Sequence, residues 1–161
     1  MKITGLAIAM TALAAPAFAQ GDVAKGEAVF GRQCVACHVV QNDAGEVLAG
    51  RNAKVGPNLF GVIGRQPGAS ADFKYGNDIV AYGETGVVWG EENFVKYVQN
   101  PTAFLREVLN NPRARGKMAF QMRDEQDAKD VYAFLATFAT PAADGAATDT
   151  GSTTQEAPAS N

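Results

Sequence analysis

Residues 34–38 read Cys34-Val35-Ala36-Cys37-His38, and they hold the only two cysteines and the only histidine of the chain. Any fold must therefore place both thiols and the one imidazole on a single short stretch of backbone. A disulfide across two intervening residues would staple only a tiny loop, so it restrains the unfolded chain little. A thioredoxin-like redox pair needs a βαβ setting, and none is visible here. A structural zinc ion takes four protein ligands; two cysteines and one histidine are too few. The remaining reading of Cys-x-x-Cys-His is covalent attachment of a c-type haem, with thioether bonds from Cys34 and Cys37 and with His38 placed to bind the iron from one face.

The chain around this motif divides into three. Residues 1–19 read as a secretory signal: Lys2 gives the positive start, Ile3 to Ala15 an apolar run too short for a stable anchor, and Ala17-Phe18-Ala19 a small-x-small cleavage site. The mature chain is expected to begin at Gln20 and to be periplasmic; an uncleaved signal would leave it anchored. No other stretch is apolar enough to cross a membrane. Residues 141–161 are mostly Ala, Thr, Ser, Gly and Asp, with Pro141 and Pro158 and no aromatic residue. Such a segment buries too little apolar area to offset its ordering entropy, so a disordered tail is expected. Residues 20–140 make one domain of ordinary single-core size.

The formal charge of −3 says little as a total. Lys2 belongs to the signal, and Asp144, Asp149 and Glu156 to the tail, so the folded stretch is close to neutral and gives no sign of nucleic-acid binding. The distribution says more. Arg106, Arg113, Arg115, Lys117 and Arg123 cluster with only Glu107 against them. Arg32, beside the attachment motif, extends the same sign. A local basic face points to an acidic protein partner.

An all-α domain with long loops is expected. Asp22 caps a helix running to about Gln33, with Val23, Gly26 and Phe30 on one face; a helical glycine is costly, which predicts close contact with another helix at Gly26. Residues 41–68 are punctuated by Gly and Pro and read as loop. Short helices are expected at 77–82, 91–99 and 102–109, with Asn100-Pro101 ending the second of them. Asp124 caps the last helix, whose Val131, Phe134, Leu135 and Phe138 make an apolar stripe. No convincing strand is visible.

With one histidine, bis-histidine ligation from this chain is impossible, and, lysine aside, the usual strong-field candidate for a second iron ligand is methionine. Met1 and Met10 leave with the signal, so Met118 and Met122 remain. Met122 adjoins the last helix and fits a packing role. Met118 sits in the glycine-bearing stretch Arg115-Gly116-Lys117-Met118-Ala119-Phe120, where a loop can aim a thioether at the iron. The residues alone leave one alternative open: both methionines as core filler, with an iron position free.

The chain resembles the class I cytochromes c, and within them the cytochrome c2 group of purple and related bacteria. The resemblance runs from about Gly21 to Thr140. It rests on the Gly26…Phe30 helix leading into Cys34–His38, then on Gly56-Pro57-Asn58-Leu59-Phe60-Gly61, Phe73-Lys74-Tyr75-Gly76, Trp89, Tyr97, Asn100-Pro101, Lys117-Met118-Ala119-Phe120 and Asp130-Val131-Tyr132-Ala133-Phe134-Leu135. It implies a class I cytochrome c fold, several helices and long loops wrapped around one covalent haem c. It implies His38 and Met118 as axial ligands and the Pro57 carbonyl as partner of the other His38 nitrogen. It also implies Arg65, Tyr75 and Trp89 at the haem propionates, Tyr97 near the Met118 sulfur, and Gly26 and Phe30 against Val131 and Phe134. Two departures stand out: Gly116 replaces the threonine of mitochondrial relatives, and residues 105–116 are longer than in those forms.

Two protein ligands would leave no iron site for oxygen or substrate. A neutral thioether and an apolar shell both raise the potential. The expected function is a one-electron carrier, not an enzyme, taking electrons from a cytochrome bc1 complex and passing them to a photosynthetic reaction centre or a terminal cytochrome oxidase. The chain is expected to be a monomer without stable membrane insertion. The alternative is a haem enzyme or gas-binding protein with an open distal side.

Overall fold

A computed structural model describes residues 21–139 of the chain. The signal expected at 1–19 and the tail expected at 141–161 lie outside the described residues. Five helices and one small hairpin follow in the order α1 Val23–Gln33, β1 Val39–Gln41, β2 Val47–Gly50, α2 Asn77–Gly83, α3 Glu91–Gln99, α4 Pro101–Val108 and α5 Glu125–Ala136.

Helix starts follow from capping chemistry. The Asp22 carboxylate accepts from the Lys25 amide and opens α1, and the Asp124 carboxylate accepts from the Gln126 and Asp127 amides and opens α5. Asn100 closes α3 and, through its side chain, accepts from the Ala103 amide to open α4. Pro101 is thus the first residue of α4 as well as the stop of α3, since its missing N–H costs nothing at that position.

The frame is a crossing of the first and last helices, with α3 packed on α5, α4 on α3 and α2 on α4. At the crossing the Gly26 backbone lies against α5: a Cβ there would sit 1.9 Å from the Asp130 carbonyl oxygen. Phe30 packs against Phe134 with the rings tilted by 48° and 5.5 Å between centroids. Asp130 is buried beside the crossing, and its Oδ1 accepts from the Asp22 amide and the Gln126 side chain, both at 2.8 Å. Val29 joins Gly26 and Phe30 on the buried face of α1, while Val23, expected on that face, is 46% exposed.

The expectation of no strand needs correction. β1 and β2 pair antiparallel, Val39 opposite Gly50 and Val40 opposite Ala49, with an irregularity before Gln41. Strands of 3 and 4 residues are too short to show alternation, and β2 is exposed except for half-buried Ala49, so it carries no apolar face. Among the described residues no helix is long and apolar enough to cross a membrane.

Candidate haem-binding site

The attachment motif begins as α1 ends. The Cys37 and His38 amides both donate to the Cys34 carbonyl, at 3.1 and 2.9 Å, which wraps the two thiols and the imidazole into one turn. Both cysteines are free thiols, half-buried. Burial, helped by the neighbouring Cys37, pushes the Cys34 thiol up to about 11. No group of three or more Cys, His, Asp or Glu side chains suited to a metal ion occurs among the described residues.

The segment 56–59 runs beside the motif and holds the imidazole. The Gly56 amide donates to the Cys37 carbonyl at 2.7 Å, and the Leu59 amide to the Val39 carbonyl at 2.8 Å. Between them, His38 Nδ1 lies 2.9 Å from the Pro57 carbonyl oxygen. A carbonyl only accepts, so Nδ1 carries the proton. Burial lowers the His38 pKa, opposed by the Pro57 hydrogen bond, and the ring is held neutral. Nε2 then keeps its lone pair and makes no hydrogen bond among the described residues. Gly56 is the floor beneath the ring: a Cβ there would come within 2.4 Å of His38 Cε1. Two free thiols and an oriented, unspent imidazole nitrogen fit a covalently attached haem.

The remaining expected residues gather in one aromatic and cationic group. Arg65 lies between two pairings with Trp89: the Trp89 amide donates to the Arg65 carbonyl at 3.0 Å and the Gly64 amide to the Trp89 carbonyl at 2.9 Å. The Arg65 guanidinium donates to the Phe60 carbonyl at 3.1 Å and the Asn58 carbonyl at 3.2 Å. Trp89 is buried and meets Tyr97 at 5.0 Å between centroids, and Tyr97 meets Phe104 edge-on at 5.8 Å. Burial raises the Tyr75 phenol against the pull of Arg65. Burial, with Tyr75 nearby, pushes Tyr97 up to about 12. Both phenols stay neutral donors at physiological pH. No hydrogen bond joins Tyr97 to Met118 among the described residues.

The two methionines differ in their surroundings. Met122 is 2% exposed in the main core, and its amide donates to the Val98 carbonyl at 2.8 Å. Met118 is half-buried at the edge of that core. Asn58 plays a part not assigned from sequence: its side-chain oxygen accepts from the Gln41 and Phe60 amides and its amide group donates to the Gln41 carbonyl. Its side chain thereby ties the segment after Pro57 to β1, while its main-chain carbonyl accepts from Arg65. Its place directly after Pro57 was the only sequence signal.

No family model matches the chain. Among curated proteins it is 55% identical over 116 residues to cytochrome c2 of Rhodovulum adriaticum, covering 72% of this chain and 91% of that one. It is 47% identical over 136 residues to cytochrome c2 of Cereibacter sphaeroides, covering 83% and 93%. Among solved structures, cytochrome c2 from Rhodobacter sphaeroides superposes with a TM-score of 0.73 at 46% identity, over 76% of this chain and 99% of that one. Cytochrome c2 from Paracoccus denitrificans superposes with a TM-score of 0.69 at 38% identity, over 74% and 98%.

Proposed function

The chain belongs to the cytochrome c2 family, with the class I cytochrome c fold and one covalent haem c, and from that premise we propose a periplasmic one-electron carrier with His38 and Met118 as axial ligands. It carries electrons and is not an enzyme. Cys34 and Cys37 form the thioethers. The observation that carries the ligand reading is the His38–Pro57 contact at 2.9 Å, which fixes the tautomer and leaves Nε2 for the iron.

Bound there, the haem iron supplies a one-electron ferric–ferrous couple. His38 and Met118 would hold the iron and so leave it no position for oxygen or substrate. The Met118 thioether, being neutral, favours the ferrous state and a high potential. Arg65 has five N–H donors and uses some of them on Phe60 and Asn58; the rest, with Tyr75 and Trp89, serve the haem carboxylates. Tyr97 supports the Met118 side. The donor is a cytochrome bc1 complex, and the acceptor is a photosynthetic reaction centre or a terminal oxidase. Residues 1–19 are removed on export, residues 20–140 form the working domain as a monomer, and 141–161 form a polar tail.

The test is spectroscopic. The oxidised protein is expected to show the weak near-red charge-transfer band of methionine–iron ligation, and the reduced protein to ignore carbon monoxide. A reduced protein that binds carbon monoxide rapidly, with no near-red band when oxidised, would instead be a haem protein with an open distal side.

A further inference from the structure

The backbone that leads into Met118 is fastened by side chains from two distant helices. The Arg115 amide donates to the Asp78 carboxylate at 2.9 Å, and the Gly116 amide donates to the Thr102 hydroxyl at 3.1 Å. Asp78 stands in the first turn of α2 and Thr102 in the first turn of α4. Gly116 lies flush against α4, where a Cβ would come within 2.9 Å of Pro101 Cβ. After these two anchors, residues 117–121 donate no main-chain hydrogen bond among the described residues. The next main-chain donor is the Met122 amide, to the Val98 carbonyl at 2.8 Å. Met118 therefore sits in a span without main-chain donors: just upstream the Arg115 and Gly116 amides are held by one carboxylate and one hydroxyl, and beside it Lys117 Nζ donates to the Lys74 carbonyl at 2.7 Å.

We propose that Asp78 and Thr102 are positioning residues for the sixth iron ligand: they set how often the 115–121 loop swings Met118 away from the iron. The inference rests on Met118 being that ligand. Segments held by few hydrogen bonds open locally, well short of global unfolding. Removing either acceptor frees an amide of the loop and favours the open form by the factor one ordinary hydrogen bond makes in an equilibrium constant, about fivefold.

Imidazole binding to the ferric holoprotein reads this opening directly, because an outside ligand enters only when Met118 has left and its apparent affinity scales with the open fraction. Thr102→Val and Asp78→Ala are each expected to raise imidazole affinity about fivefold, and Thr102→Ser, which keeps the hydroxyl, to restore the parent value. Asp22→Ala, which removes the α1 cap far from the loop, is expected to lower thermal stability and leave imidazole affinity unchanged. If Met118→Ala gains no imidazole affinity, Met118 is not the ligand and the inference falls with that reading. If Met118→Ala gains affinity but Thr102→Val and Asp78→Ala do not, the ligand stands and the anchoring role is overturned. An equal rise in Asp22→Ala overturns it too, since the effect would then be global.

Discussion

At the scale of single residues, two contrasts decide the chemistry. His38 has one nitrogen committed to Pro57 and one uncommitted, and Gly56 leaves the ring no room for error. A methyl at position 56 would lie 2.4 Å from His38 Cε1, so Gly56→Ala must displace the ring or the 56–59 segment. A loss of about 2 kcal/mol or more is expected from such overpacking, read as a drop in denaturant midpoint and in the yield of haem-loaded protein. Met118 and Met122 form the second contrast. Met122 is 2% exposed among core side chains, so Met122→Leu conserves volume and is expected to cost less than about 1.5 kcal/mol while keeping the near-red band. Met118→Ala is expected to abolish that band, lower the potential sharply and admit carbon monoxide. The reverse pattern in the two variants would mean that Met122 holds the iron.

At the scale of elements, the α1–α5 crossing is the contact on which the others are built. Alanine at 26 gains about 1 kcal/mol of helix propensity, but its Cβ would stand 1.9 Å from a main-chain oxygen of Asp130 that cannot step aside. Gly26→Ala is therefore expected to destabilise by about 3 kcal/mol or more, since the helices must part; equal or higher thermal stability would contradict the close crossing. This contact was legible from sequence because a glycine inside an otherwise good helix has few other reasons. So were α3 and α5, whose caps and apolar positions lie within one short window. The hairpin was not legible, because its strands are too short to show a period. Pro101 was read only as a stop, although a proline that ends one helix can equally begin the next. Asp78 and Thr102 were invisible for a different reason. They act on main-chain amides 37 and 14 residues away, and a side chain that bonds to backbone leaves no pattern in its partner's sequence.

At the scale of the whole molecule, the haem and the surface charges set behaviour that no one element explains. The segments around Gly56, Gly61, Gly64 and Gly68 are glycine-rich turns that close around the site instead of forming a core of their own, so the haem-free chain is expected to be largely unfolded. A cooperative thermal transition in haem-free protein would contradict that. The basic cluster divides by its contacts. Arg106 donates to the Ala114 carbonyl and Lys117 to the Lys74 carbonyl, so both are partly structural, and reversal of Lys117 would disturb the loop as well as the charge. Arg113 and Arg123 are exposed, and no ion pair engages either among the described residues. They are the cleaner probes of docking. Charge complementarity chiefly raises association rates and is screened beyond a Debye length of roughly 8–10 Å in ordinary buffers. The second-order rate of electron transfer to an acidic acceptor is therefore expected to fall as salt rises. Arg113→Glu and Arg123→Glu are expected to slow it several-fold at low salt, with potential and thermal midpoint unchanged. The competing account is docking through apolar contact at Phe120, which is 38% exposed beside the same loop. A rate that is flat with salt and indifferent to both reversals, but lowered by Phe120→Ser, would transfer the docking role from the arginines to that ring.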